Sequence, residues 1–292
     1  MKPILYVYIL LAIALLILLW LFSLKTRRGQ RKLQVLKQYR YAHRGLHNAR
    51  RGIPENSILS YRYVLAGGFG AEIDVRMTKD KHLVVIHDSD LRRLCGVKGR
   101  VEDMTLEQLK LLQLQGTHES IPRLEEVLTI FSGKAPLIIE LKPEGRNLRS
   151  LCERTCRLLE GYQGDYCVES FDPRVLWWLR RNEPFIIRGQ LSQNFLRRKE
   201  GMRFSLPARL LLTTLLTNLA TRPDFVAYRY EDRNCLSLRT CVELLRGQEV
   251  SWTIRSQEDL DKAEAAGAIP IFEGFLPKPK PKEPEKPRAG TA

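Results

Sequence analysis

The stretch "PLIIELKPEGRNLRSLCERTCRLLEGYQGDYCVESFDP", Pro136–Pro173, decides the fold. An apolar run over 136–141 gives way to a polar turn, then a helical pattern over 147–160, then a second apolar run over 166–171. Asp172-Pro173 opens the next helix, since Asp caps orphan N–H groups and Pro suits a first helical position. A strand, a helix and a strand in this order imply parallel pairing through a right-handed crossover. The pattern extends in both directions. Further strands are expected at 39–42, 71–75, 83–87, 185–191, 224–229, 249–254 and 269–272. Further helices are expected at 57–66, 105–112, 123–131, 173–181, 237–245 and 257–266. Thr105 with Glu107, and Ser256 with Glu258 and Asp259, mark two of the helix starts. The expected fold class is therefore α/β, a TIM (β/α)8 barrel. Nine strand candidates compete for eight places. Because only "TKDK" lies near the turn between 71–75 and 83–87, one of those two is expected to be an extra hairpin strand.

Outside the barrel the composition changes. Residues 4–22, "ILYVYILLAIALLILLWLF", are apolar without a break. A helix of that length matches the hydrocarbon thickness of a bilayer, and no small-residue cleavage pattern follows it. The expected organisation is a single transmembrane anchor at 1–24, a basic stalk at 25–37, the barrel at 38–275 and a disordered Pro/Lys-rich tail at 276–292. Lys2 precedes the span, whereas Lys25, Arg27, Arg28, Arg31, Lys32, Lys37 and Arg40 follow it, which predicts the barrel on the cytoplasmic side. The net charge of +15 is concentrated at the ends: +8 in residues 1–40 and +3 in the tail, leaving +4 for the barrel. Such a distribution suits an anionic membrane surface and argues against a nucleic-acid partner. The six cysteines form no CxxC pair, so no zinc site is expected, and unpaired thiols fit a reducing compartment. Nothing in the sequence identifies a protein partner. The Leu-rich segment 203–222 reads either as a buried barrel helix or as a hydrophobic lid or membrane-dipping helix beside the strand ends.

The chemistry concentrates at strand ends. Glu72 and Asp74, two apart in "AEIDV", lie on the same side of their strand. Glu140 ends the run "PLIIE", with Lys142 two residues on. C-terminal strand ends converge on one face of such a barrel, so Glu72, Asp74 and Glu140 can supply three oxygen ligands to one divalent cation, Mg²⁺ or Ca²⁺. An all-oxygen set disfavours Zn²⁺. His43 in "YAHRG" and His87 in "VVIHD" end apolar runs in the same manner and suit an acid/base pair. Arg44 offers a planar fork for phosphate oxygens beside the flexible Gly45. His47, His82 and His118 sit in polar, loop-like contexts and receive no role.

The motifs "AHRG…PENS" (42–57), "EIDVRMTKD" (72–80), "LVVIHDSDLRRLCG" (83–96), "VEDMTLEQLK" (101–110), "IPRLEEVL" (121–128), "IIELK" (138–142) and "SFDP" (170–173) occur in order. Together they resemble the glycerophosphodiester phosphodiesterase family, in its membrane-anchored bacterial form. The resemblance covers about residues 39–275. It implies a TIM barrel and metal-dependent hydrolysis of glycerophosphodiesters to glycerol 3-phosphate and an alcohol. It also implies roles: Glu72, Asp74 and Glu140 as metal ligands, His43 and His87 as acid and base, Arg44, Glu55 and Lys142 as residues near metal and phosphate, and Trp252 as a residue lining the site. Two stretches depart from the family pattern. "IPIFEGF" at 269–275 stands where an "IITD"-like run is usual, which puts the last strand's contribution in question, and "RRLCG" replaces an "RTT"-like run. Two rivals share the fold: a lysophospholipase D acting on membrane lysolipids with the same site, and a barrel that binds lipid without turnover.

Overall fold

The computed structural model describes residues 2–27, 29, 31–197 and 204–279. Among the described residues there are nine strands: β1 (Tyr41–Ala42), β2 (Gly70–Met77), β3 (Leu83–Val85), β4 (Leu137–Leu141), β5 (Tyr166–Ser170), β6 (Arg188–Ser192), β7 (Phe225–Arg229), β8 (Gln248–Ile254) and β9 (Ile269–Phe272). Eight are parallel and close on themselves in the order β1-β2-β4-β5-β6-β7-β8-β9, with β9 paired back to β1. The ninth, β3, is antiparallel to β2 with Val85 opposite Val75, and is the extra hairpin strand. The fold is the expected TIM barrel.

Alternation explains why buried strands can carry a polar site. On β2, Ala71, Ile73, Val75 and Met77 join the apolar layer between barrel and helices. Glu72, Asp74 and Arg76 therefore point the other way, into the barrel. Side chains on successive strands repeat this, and Tyr41, Ile138, Phe225 and Val250 pack the interior. Gly189 is required there: a Cβ on it would lie 2.0 Å from the Phe225 ring. Helix starts use the expected chemistry. Ser57, Thr105, Asp172 and Ser256 each accept a hydrogen bond from an N–H of the first turn. At Thr105 the partner that completes the box is Gln108, not Glu107.

Three segments differ from expectation. The helix expected over 237–245 is a short turn, Leu236–Arg239, running into a π-helical turn, Thr240–Leu244. Within the residues expected as a stalk, 25–37, Arg27, Leu33 and Leu36 pack onto the barrel. Arg27 forms a two-pronged ion pair with the buried Asp224 at 2.8 and 3.0 Å, and Leu33 and Leu36 close the barrel floor beneath Tyr41. A buried carboxylate needs such a partner, and an open floor would leave apolar side chains in water. In the Leu-rich segment, Leu206–Thr213 and Asn218–Thr221 are helical and half-buried: Leu212 and Leu215 face the core while Leu206, Leu210, Leu211 and Leu219 face out. Residue 203 of that segment and residues 280–292 of the tail lie outside the described residues, as do Met1, Arg28 and Gln30.

The N-terminal helix, Lys2–Leu24, contains the only span among the described residues long and apolar enough to cross a membrane, Ile4–Leu24. Its apolar side chains are exposed along most of its length, but Leu24 is fully buried among Leu215, Val226, Tyr228, Leu238 and Cys241. Leu24→Ala is expected to cost about 2–5 kcal/mol, the range for emptying a packed leucine site. Chemical denaturation of the full chain in detergent checks this; a change below about 0.5 kcal/mol would show that Leu24 is not part of the core.

Candidate active site

The C-terminal ends of the strands converge as the alternation requires. Glu72 and Asp74 come from β2, Glu140 from β4, His43 and Arg44 from the turn after β1, and His87 from the turn after β3. One oxygen of each of Glu72, Asp74 and Glu140 lies within 4.8 Å of the others, and all three residues are buried. His43, Arg44, Glu72, His87, Glu140 and Trp252 line a common pocket. Asp74 and Lys142 meet it from one contact away. Lys142 Nζ lies 2.8 Å from Glu140 Oε1 and 3.2 Å from Asp74 Oδ1.

Arg44 sits at φ +55°, in the left-handed region, and Gly45 follows at +82°. A Cβ on Gly45 would meet Ser60 Oγ at 2.2 Å, so this turn requires glycine. The sharp turn brings the Arg44 N–H to Glu72 Oε2 at 2.9 Å. The guanidinium reaches Glu55 at 3.0 Å and Asp74 at 3.4 Å. Asn56 donates to Asp74 Oδ2 at 2.7 Å and is itself held by the Tyr61 hydroxyl at 2.7 Å. Glu55 lies behind Arg44 and does not line the pocket. Arg93, from the departing "RRLCG" stretch, donates to both Glu55 oxygens at 2.7 and 2.8 Å and to Asp88 at 2.5 Å. Asp88 in turn lies 2.6 Å from His87 Nδ1. A chain Arg44–Glu55–Arg93–Asp88–His87 thus joins the two turns that carry the candidate acid and base.

Electrostatics follow from burial and crowding. Burial, then Asp74 and Glu140, push the Glu72 carboxyl well above its ordinary range. Burial raises Glu140 to about 7, against the pull of Lys142. Burial would raise Asp74 too, but Lys142, His87 and Arg44 hold it well below the ordinary range. Three carboxylates this close cannot all ionise without added positive charge. Burial lowers His87 to about 4, helped by Lys142, and lowers His43 despite the opposing pull of Glu273. Both shifts favour the neutral imidazole. The donor set fits a hard dication: all ligand atoms are oxygens, and Asp74 Oδ1 is buried with no aligned hydrogen-bond donor.

Sequence reading missed two acidic neighbours. Glu169 on β5 is the register partner of Glu140, lines the same pocket, and keeps Oε2 buried without a hydrogen bond. Its signal was an acidic residue inside the apolar run "YCVES", spaced from Cys167 as Glu140 is from Ile138. Glu273, immediately after β9 in the departing "IPIFEGF", places its two oxygens 3.4 Å from His43 Nδ1 and 3.3 Å from His47 Nε2. Arg255 fixes it from outside at 2.8 Å. The last strand therefore contributes a carboxylate beside His43 despite its unusual sequence. Trp252 on β8 stacks edge-on with Phe171, and its indole N–H is buried without an acceptor.

The fold and this pocket define a closed parallel barrel with a buried, cation-hungry acidic cluster at the C-terminal mouth. Residues 43–273 match the glycerophosphoryl diester phosphodiesterase family, and the chain belongs to that family. It is 30% identical over 182 residues to a glycerophosphodiester phosphodiesterase of Bacillus altitudinis, covering 58% of this chain and 72% of the relative. It is 38% identical over 162 residues to a glycerophosphodiester phosphodiesterase of Caldanaerobacter subterraneus, covering 52% and 65%. The fold is shared with a phosphodiesterase of Oleispira antarctica solved with the product sn-glycerol-3-phosphate, at TM-score 0.66 and 21% identity over 80% of this chain and 92% of that one.

Proposed function

We propose that the chain hydrolyses glycerophosphodiesters to glycerol 3-phosphate and an alcohol, with one divalent cation held by Glu72, Asp74 and Glu140. The observation that carries this reading is the meeting of those three carboxylates within 4.8 Å in a family-typical barrel, with His43 and His87 lining the same pocket. When bound, the cation supplies positive charge to a non-bridging phosphate oxygen. Arg44, anchored by Glu55, orients a second phosphate oxygen. Lys142 holds Asp74 in its ionised form and opposes the burial that raises Glu140. One neutral histidine takes the proton of the nucleophile, water or a neighbouring glycerol hydroxyl; the other returns a proton to the departing alkoxide. An anionic phosphodiester beside the second imidazole raises its proton affinity into the working range. Glu273 lies at ion-pair distance from His43 Nδ1 and orients that ring. Turnover of glycerophosphocholine by the full chain, assayed by glycerol 3-phosphate release with Mg²⁺ or Ca²⁺ titrated in after chelation, tests the reading. Cation-dependent release is expected. No release with either ion would leave the non-catalytic barrel.

Cation binding should release protons. Glu140 is held near 7 and Glu72 is also raised, so below about pH 7 the ligands carry a proton that the ion must displace. Calorimetry in buffers of different ionisation enthalpy should show net proton release on ion binding at pH 6, and tighter binding as pH rises to 8. Binding that does not change with pH would contradict the assignment of these ligands.

A second substrate reading rests on a specific feature. The pocket opens into a cavity of about 1280 Å³ walled by Phe171, Phe195, Phe204, Leu211, Leu212 and Trp252. That volume exceeds the roughly 300–1,000 Å³ that holds a drug-sized ligand. It favours an acyl-bearing lysophospholipid as an additional substrate. A kcat/KM at least tenfold higher for lysophosphatidylcholine than for glycerophosphocholine would establish it; equal values would leave the short diester. The same account gives the chain a single membrane span at Ile4–Leu24, with the barrel on the cytoplasmic side by the excess of basic residues after the span. Protease protection on intact cells checks the sidedness: digestion of the barrel from outside would reverse it.

A further inference from the structure

Two apolar features far apart in sequence meet in space. The last turn of the N-terminal helix rests on residues 218–222. The Leu24 carbonyl accepts from Asn218 Nδ2 at 3.5 Å and from Cys241 Sγ at 3.4 Å. Arg222 donates to the Phe22 carbonyl at 2.9 Å and lays its guanidinium 4.3 Å from the Phe22 ring centre. The Leu-rich segment leads directly into this contact. Its Leu206, Leu210, Leu211 and Leu219 are 60, 44, 45 and 50% exposed, while Leu212, Leu215 and Asn218 anchor it to the barrel. Four outward leucines on one short stretch are costly in water and mark a contact surface.

We infer that the outer face of residues 206–219 lies in the headgroup–acyl boundary of the bilayer that Ile4–Leu24 spans. The fold fixes the level. If the span ends at Leu24, the membrane surface passes Lys25 and Arg222, and Leu219 is one residue from the side chain that holds the Leu24 carbonyl. Lys25 and Arg222 both lie over the Phe22 ring at this level, and their charge suits anionic lipid. Leu211 and Leu212 also wall the cavity that reaches His87 and Glu140. The cavity rim is then set at the lipid surface, so lipid-derived diesters reach the site without crossing bulk water. The proposal rests on the span reading and is independent of catalysis.

The test uses the full chain in nanodiscs of phosphatidylcholine and phosphatidylglycerol. Cys95 and Cys235, the two part-exposed cysteines, are first replaced in a Cys95→Ser/Cys235→Ser background. A fluorophore is then placed by Leu210→Cys, by Leu219→Cys, by Leu11→Cys within the span, and by Leu111→Cys. Leu111 is 81% exposed and belongs to the connection between β3 and β4, strands that do not pair with β7. Quenching by lipids with a nitroxide near the headgroup end of the acyl chain is expected to be at least threefold stronger at 210 and 219 than at 111. Quenching at 11 by deep nitroxides, with 210 and 219 no stronger than 111, would overturn the interfacial contact while leaving the span. Absence of quenching at 11 would overturn both. Protection at 210 and 219 that varies with protein concentration and not with lipid nitroxide would assign the face to a second copy of the chain and also overturn the proposal.

Discussion

Glu72→Gln is expected to lower cation-dependent turnover on the order of 10³-fold or more, since a catalytic metal contributes several kcal/mol to the transition state. The substitution keeps the shape of the side chain, and its amide oxygen can still accept from the Arg44 N–H. It removes one charge from a cluster in which burial and the neighbouring Asp74 and Glu140 already oppose ionisation. The cation-free variant should therefore be as stable as the parent, or more so. Mg²⁺ or Ca²⁺ should raise the melting temperature of the parent and leave that of the variant nearly unchanged. Scanning fluorimetry with and without cation, beside the activity assay, separates loss of the ion from loss of the fold. Parental activity in folded Glu72→Gln protein would end the metal assignment.

His43→Ala and His87→Ala are each expected to lower kcat by roughly 10²–10⁴-fold, the range for positioned acid–base groups. The two should differ in rescue. When the leaving alcohol is p-nitrophenol, it needs no proton, so the variant lacking the general acid regains most of its rate. The variant lacking the base does not. His87 faces Asp88 through Nδ1 and lines the wide cavity, whereas His43 sits beside Glu273 in the narrower pocket. Recovery of one variant alone assigns the roles. Near-parental rates for either variant on a glycerol diester would remove that histidine from the mechanism, and recovery of neither would show that leaving-group protonation is not its task.

Much of this was legible in the sequence because barrel strands are short, buried and separated by helices with recognisable starts. The run ending at Glu140 reads as a strand because its apolar residues are contiguous, and the acidic residue at its end stands out against them. Glu72 and Asp74 read as one face because strand side chains alternate with period two. The same logic applies to Glu169, yet a single carboxylate in "YCVES" carries no partner in the sequence; its meaning comes from its register beside Glu140. Glu273 and Arg93 lie in stretches that depart from the family pattern, and only the closure of β9 onto β1 and the turn after β3 bring them to His43, Glu55 and Asp88. The helix end at Leu24 was least legible. Its partners Asn218, Arg222 and Cys241 are about 200 residues away, and a contact over that separation leaves no periodicity to read.

The most direct measurement is an anomalous difference map from crystals grown without cation and then soaked with Mn²⁺ and glycerol 3-phosphate. The account predicts one peak with an oxygen of each of Glu72, Asp74 and Glu140 in its coordination shell, at roughly 2.0–2.6 Å as hard cations require, and the phosphate lying between His43 and His87. A peak held by other residues, or a phosphate out of reach of both imidazoles, would contradict it.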